Sequence, residues 1–442
     1  MRRGNSKQKR RDFLRAVTAG GAVGLAGCVG STDEEDDDDG SDSEDNDTGD
    51  SDDGTTTDDD SGIGFDTVQL GVLEPFTGDF SDLAEERNRG ERLGIQQVNE
   101  SDAYDFQIEY EEYDTQLNSE DGVQVANQAV QEFGAQFLTG AISSSVALAI
   151  NEVAANNQVI YTPGAAAVSI TGSNCNEYVF RFETNTAQIA EVMTQWMVEE
   201  LGDRIYYQIA DYAYGESVLE EVDSRMADLS DSYEQVETAR ADQSAQDFEA
   251  AITQIQNSAD EADAVVVGAT GGHLVRFLVQ AAERGLNEDI PIVTTTGSFF
   301  VIRAGAGPAA YNIYSGTRYV PSLETGDNQA FVEAYQNEYD QLPDNFSRVG
   351  YESVRMIANG VQDAESRDPD VVKDTLPGMN HETIFGDVSF RECDHQATNP
   401  VWMAQNVPPE GGEEGDPADV NFLLELAGDE AIPACEESGC EL

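Results

Sequence analysis

The 442-residue chain carries 87 acidic and 23 basic residues, a formal net charge of −64 at pH 7. That balance excludes nucleic acid and anionic membrane surfaces as natural partners, and its self-repulsion would destabilise a compact fold in dilute buffer. At molar salt the screening length falls to ~3 Å, so the composition is that of a protein adapted to high salt, its carboxylates mostly a solvated surface.

The first residues run against this trend. Arg2, Arg3, Lys7, Lys9, Arg10, Arg11 and Arg15 precede a short apolar run from Ala16 to Ala26. The run falls far short of the ~20 residues a membrane span needs and reads as a secretory signal. Arg10-Arg11-Asp12-Phe13-Leu14-Arg15 resembles the twin-arginine export signal. Leu25-Ala26-Gly27-Cys28 resembles a lipobox, in which Cys28 is lipidated and becomes the first residue; the alternative is an ordinary cleaved signal with an incidental cysteine. Residues 31–60 hold 17 Asp or Glu and no Lys or Arg. Such a segment cannot bury apolar surface, so 29–64 is predicted to be an extended, disordered tether.

The rest of the chain, about 380 residues, suggests two domains. Periodicity predicts a strand over 68–73, a helix over 84–99, a strand over 106–110 and a helix over 119–133. Phe137-Leu138, helix 144–156 and strand 159–161 follow. The rhythm resumes with strand 205–209, helix 215–229, strand 233–241, helix 246–258, strand 264–267, helix 271–285 and strand 290–294. Strands alternating with helices predict an α/β fold of two mainly parallel sheets. Ligands of such sheets sit beyond the carboxyl ends of the strands. The turns there are rich in Gly, Ser, Thr and Tyr: 74–78, 140–145, 162–166, 211–215, 268–272 and 294–298. Any one of them is explained by helix capping; six at equivalent positions favour a shared cleft for a small polar or anionic group.

The order and spacing of several segments carry a family resemblance. They are Gly71-Val72-Leu73-Glu74-Pro75-Phe76-Thr77-Gly78 with Arg89-Gly90, Gly140-Ala141-Ile142-Ser143-Ser144-Ser145, Tyr161-Thr162-Pro163-Gly164-Ala165 and Phe180-Arg181. Tyr214-Gly215-Glu216, Phe248, Ala264-Val265-Val266-Val267-Gly268 and Phe346 continue the series. From about 66 to about 407 the chain resembles the type I periplasmic solute-binding proteins of ABC importers, the branch named for branched-chain amino acids. The resemblance implies a two-lobed periplasmic-binding-protein-like fold with three hinge crossings, near 182–185, 315–321 and 383–387. Lobe one would comprise 66–183 and 318–383, lobe two 185–316 and 386–407, with 408–442 as a C-terminal extension. It also implies that Ser144, with Ser145 beside it, and the Ala165–Ala166 turn hold a carboxylate, and that Tyr214 closes over the ligand. The family's ammonium-holding positions are occupied here by Ala166 or Ala167 and by Thr296, and Thr270 stands where an aromatic is common. An ammonium in a closed cleft would be poorly compensated. The expected solute is an amino acid, a carboxylate or an amide-like compound, and the missing ammonium partner favours a carboxylate without an amine, or a neutral amide or urea-like ligand. The implied role is a lipid-anchored, monomeric receptor on the outer face of the cell membrane that delivers a solute to an ABC permease and its ATPase. A ligand-binding module of a sensory receptor is the alternative. No cofactor is implied, and no GxSxG, P-loop or GxGxxG suggests an enzyme.

Cys175, Cys393, Cys435 and Cys440 are an even set that would persist as disulfides outside the cell. Three pairings are open. Cys435 with Cys440 would close a local loop, whereas Cys393 with either would pin the tail to lobe two. A metal is not expected, because His381 and His395 lack ligand spacing. His273 either lines the cleft or caps a surface helix. Trp196 and Trp402 are expected in the core, and Asp394-His395-Gln396 carries no assigned role.

Overall fold

The computed structural model describes residues 63–411 and 416–442. Arg10, Arg11, Cys28 and nearly all of the acidic tether lie outside the described residues. The first sheet is built from β1 (Thr67–Glu74), β2 (Gln107–Asp114), β3 (Phe137–Gly140) and β4 (Ile160–Pro163). Helices α1 (Ser81–Glu100), α2 (Ser119–Gln128) and α3 (Ser144–Asn157) connect them. The second sheet follows α4 (Thr186–Glu200). It takes in β5 (Arg204–Asp211), β6 (Glu234–Asp242), β7 (Ala264–Gly268), β8 (Ile292–Thr294) and β9 (Tyr314–Thr317). Between these strands run α5 (Ala213–Leu229), α6 (Glu249–Ser258), α7 (Gly271–Glu283), α8 (Leu286–Asp289) and α9 (Phe300–Ala306). Beyond them lie α10 (Asn328–Tyr339), α11 (Asn345–Ala364), α12 (Pro369–Thr375), the hairpin β10 (Asn380–Thr383) and β11 (Gly386–Ser389), β12 (Val401–Val407), β13 (Asp419–Leu426) and α13 (Gly428–Ala431).

The first sheet has the order β2-β1-β3-β4 and is parallel throughout. The second repeats this order as β6-β5-β7-β8-β9, also parallel, and then adds β12 and β13 antiparallel at one edge. In both sheets the winding direction reverses beside the first strand, between β1 and β3 and between β5 and β7. The carboxyl ends there form the crevice in which open α/β sheets bind ligands. β1, β3, β4 and β7 are buried nearly end to end, as parallel strands covered by helices on both faces must be.

Lobe one packs α1 directly on α11. A Cβ on Gly90 would lie 1.9 Å from the Ser347 carbonyl, and one on Gly350 would lie 2.4 Å from that of Arg87, so glycine alone permits this approach. The chain leaves lobe one after Phe182, which lies in that lobe's core, and enters α4 through a capping box between Asn185 and Gln188. It returns after Thr317 to Tyr319 and Val320, which pack with Leu93 and Tyr351.

Two boundaries differ from expectation. The third crossing lies between Ala397 and Val401 rather than at 383–387, because the β10–β11 hairpin folds back and buries Val388, Phe390 and Ala397 in lobe one's core. The C-terminal segment is no appendage: β13 extends lobe two's sheet and Ala431 enters its core. The disulfides pair Cys175 with Cys440 and Cys393 with Cys435. Their partners Cys175 and Cys393 are flanked by Ile170, Val179, Phe390 and Ala397 of lobe one's core. The tail is therefore stapled to lobe one, not lobe two, and forms a fourth connection between the lobes.

Candidate functional site

The two crevices face each other and the lobes are closed on one another. Arg276 of α7 donates to Asp79 at the entrance to α1 at 2.7 Å. The Val168 amide donates to Ser217 Oγ at 3.0 Å, and the Phe300 amide to Asp344 Oδ2 at 2.6 Å. Phe80, Leu83 and Ile142 of lobe one join lobe two's core cluster.

Between the lobes is a cavity of about 10 Å³, room for about one water. Its walls come from the turns the strand order singles out: Ile142 after β3, Gly164 and Ala166 after β4, Tyr212 and Tyr214 after β5, and Thr270 after β7. Thr296, Arg318 and Phe346 complete them.

Of the residues expected at the site, Ala166, Tyr214, Thr270 and Thr296 line the cavity. Tyr214 is buried, its hydroxyl 2.6 Å from Thr295 Oγ1, and burial pushes its pKa up. Thr296 Oγ1 donates to the Ala269 carbonyl at 3.0 Å. Ser144, Ser145 and Ala165 are not among the lining residues. Ser144 Oγ accepts from the Ala167 amide at 3.2 Å, a contact within lobe one, and the Ala165 carbonyl accepts from Arg181 at 3.3 Å. Ser145 Oγ instead accepts from the Ala213 amide at 3.4 Å, across the cleft.

Sequence reasoning missed Arg318 altogether. It follows β9 on the second crossing and is 1% exposed. Its NH1 donates to Glu183 Oε1 at 2.8 Å and its NH2 to the Tyr214 hydroxyl at 2.9 Å. Burial works against its charge, but Tyr214 and Glu183 together hold its pKa above the usual value. It lies 5.4 Å from the Phe299 ring centre and 5.9 Å from that of Tyr214. Its one available signal was a position inside the expected second hinge.

The hinge also explains Asp394-His395-Gln396. Gln396 Oε1 accepts from Arg181 Nε at 2.6 Å and its amide donates to the Glu183 carbonyl at 2.9 Å, so it ties the first crossing to the third. Asp394 pairs with Arg391, and His395 stacks on Phe180 with ring centres 4.1 Å apart. His273 neither lines the cleft nor caps at the surface; it is buried against Phe248 in lobe two, with Nδ1 3.2 Å from the Gln243 carbonyl. Trp402 is buried, and Trp196 is half-buried against Tyr314. Among the described residues no cluster of His, Cys, Asp and Glu could hold a metal.

Comparisons with known proteins agree with this architecture. A Leu/Ile/Val-binding protein homolog from Brucella abortus is 25% identical over 363 residues, covering 77% of this chain and 84% of the relative. The amino acid ABC transporter substrate-binding protein from Pseudomonas fluorescens Pf-5 superposes with a TM-score of 0.75 at 22% identity, covering 86% of this chain and all of that one. A solute-binding protein from Rhodopseudomonas palustris, solved in complex with benzoate, gives a TM-score of 0.73 at 22% identity, covering 85% of this chain and all of that one. The periplasmic binding protein model matches residues 67–413, most of the chain. With two parallel sheets wound alike, three crossings and a cavity at facing switch points, the chain belongs to the periplasmic binding protein family.

Proposed function

We propose that this chain is the solute receptor of an ABC importer: it captures a small organic solute between its lobes, and the closed form docks on the permease. The observation that carries this reading is the pair of crevices meeting in a common cavity, sealed by contacts that join opposite lobes, Arg276 to Asp79 and Phe300 to Asp344. A solute touching both lobes stabilises such a closed form by its differential affinity for it. Similarity to the amino acid ABC transporter substrate-binding protein from Pseudomonas fluorescens and to the benzoate-bound ABC transporter solute-binding protein from Rhodopseudomonas palustris supports the same role. The finer parts of the proposal rest on sequence. Arg10 and Arg11 direct export by the twin-arginine route, Cys28 carries the lipid anchor, the acidic segment is its tether, and the surface charge is matched to high salt. No helix among the described residues is long and apolar enough to cross a membrane.

The test is a thermal-shift screen of the full chain in multimolar KCl against amino acids, amine-free carboxylates, amides and urea. A true solute at 100 times its Kd adds about 2.7 kcal/mol of stability, and small-angle scattering should show the same solute shifting the protein to its compact form. A folded protein stabilised and closed by no small solute would overturn the reading.

A further inference from the structure

The buried polar atoms of the cleft divide into those with partners and two without. Tyr214 and Thr296 spend their hydroxyls on protein groups. Arg318 Nε and Thr270 Oγ1 are buried, border the cavity and have no hydrogen-bond partner. A guanidinium N–H is a donor only, and leaving one unmatched in a buried site is costly.

The charged groups of the hinge point in the same direction. Arg181, Arg318 and Arg348 are all fully buried at the hinge. Among them only Arg318 makes an ion pair, with Glu183. Arg181 is held by neutral acceptors: Gln396, Thr171 and the Ala165 and Ala167 carbonyls. Arg348 is held by the Phe182 carbonyl at 3.3 Å and Asn345 Oδ1 at 3.0 Å. Burial disfavours the charge on Arg181 and on Arg348; Asp394 and Glu183 oppose this at Arg181, Glu183 and Glu352 oppose it at Arg348, and Arg318 adds to it at both. Two of the three buried hinge arginines are thus hydrogen-bonded to neutral acceptors alone. A carboxylate in the cavity would supply a charged partner beside them.

We propose that Arg318 selects the solute: its guanidinium takes the carboxylate of an amine-free organic acid with a flat apolar body, and the Thr270 hydroxyl supports the same group. This deepens the receptor reading and rests on it. The planar fork of arginine matches a carboxylate in two parallel bonds. No acidic side chain lines the cavity to receive an ammonium. Glu183, the nearest carboxylate behind Arg318, has Oε1 on Arg318 and Oε2 on Asn345 Nδ2 at 3.0 Å. Ile142, Phe346, Tyr212 and Tyr214 line the same small cavity, so a flat apolar body packs among them with the least enlargement of the space.

Calorimetry with the full chain in multimolar KCl tests this on matched probes: benzoate, benzamide, benzylamine and phenylalanine. Benzoate is expected to bind at least ~100-fold more tightly than the other three: benzamide and benzylamine lack the carboxylate the site is built for, and phenylalanine brings an ammonium that no lining carboxylate receives. Arg318→Gln should abolish benzoate binding, and Arg318→Lys, which keeps the charge but not the fork, should weaken it at least ~10-fold. Comparable binding of benzamide or phenylalanine overturns the role of Arg318 and leaves the receptor reading standing. So does an unchanged benzoate Kd in either variant. The wild-type series decides the matter even if a variant fails to fold. A folded wild-type protein that ignores all four probes overturns the inference too, while the receptor reading is judged separately by the broad screen.

Discussion

Arg87 in lobe one and Arg318 at the hinge are both fully buried arginines paired with glutamate, each with an unpartnered Nε; they differ in that Arg318 alone lines the cavity. Arg87 has two carboxylates on one nitrogen, Glu74 at 2.5 Å and Glu91. Thr139 Oγ1 at 3.0 Å and the Thr162 carbonyl at 3.3 Å also accept from it. Burial raises the pKa of Glu74 well above the ordinary carboxylate range; Arg87 opposes the shift and Glu91 adds to it. Two carboxylates thus share one arginine, and burial together with their mutual repulsion favours the uncharged form of Glu74. The cluster is also packed solid: a Cβ on Gly164 would lie 2.6 Å from Arg87 Nε. Arg318 has one carboxylate, two further arginines for neighbours and a cavity at its side. A close-packed cluster joins β1, α1 and β3 into one lobe. An arginine bordering space is equipped to receive an anion.

The contrast makes four predictions. Arg87→Met should cost about 3–5 kcal/mol in denaturant unfolding, because it strands buried carboxylates without their cation. A loss below 1 kcal/mol would mean that the lobe-one cluster does not hold the lobe together. Removing the Cys175–Cys440 bridge by Cys175→Ser with Cys440→Ser should cost about 2–5 kcal/mol, since it frees a loop spanning 265 residues. Reductant on the wild-type protein, which opens the Cys393–Cys435 bridge as well, should cost at least as much.

The third prediction concerns pH. Asp344 accepts from the first amides of α9 at the lobe junction, and burial raises its pKa to about 6. The native state therefore binds this proton more tightly than the unfolded chain. The stability it contributes is full below the ordinary pKa near 4, falls as pH rises to about 6 and is level above that. Asp344→Asn keeps an acceptor and removes the titration, so its stability relative to wild type should rise across that window by about 3 kcal/mol at most. His381 and His395, lowered to about 4 by burial, work in the opposite sense: their contribution is lost as pH falls from 6.5 through 4. The difference between wild type and variant isolates Asp344, because both carry the same histidines. The smallest effect is expected for Glu74→Gln. If burial keeps Glu74 uncharged, replacing it by an amide should change stability at neutral pH by about 1 kcal/mol or less. A loss as large as that of Arg87→Met would show that Glu74 is ionised.

Much of the scaffold was legible locally. Helix 84–99 is α1 at Ser81–Glu100, and strand 264–267 is β7 at Ala264–Gly268. Both carry uninterrupted periodic or apolar patterns that local sterics turn into one structure. The hairpin β10–β11 was hidden because Asn380–Thr383 and Gly386–Ser389 are four residues each and mostly polar. They were read as a crossing, and only packing of Val388 and Phe390 on lobe one decided otherwise. At the site, the strand-end turns supplied Ala166, Tyr214, Thr270 and Thr296. Ser144 lies off the cavity lining, its hydroxyl at a helix start accepting instead from a nearby amide, that of Ala167.

By itself, then, the sequence determined the alternation of strands and helices, the turns that meet at the cleft and the acidic surface, because each depends on neighbours a few residues apart or on composition alone. Tertiary structure decided which cysteines pair, where the third crossing falls and what Arg318 does. Those outcomes depend on groups far apart in the chain: Glu183 and Arg318 are separated by 135 residues, and Cys175 and Cys440 by 265. An arginine acquires its meaning from the dielectric and the counter-charges around it, and folding alone assembles these.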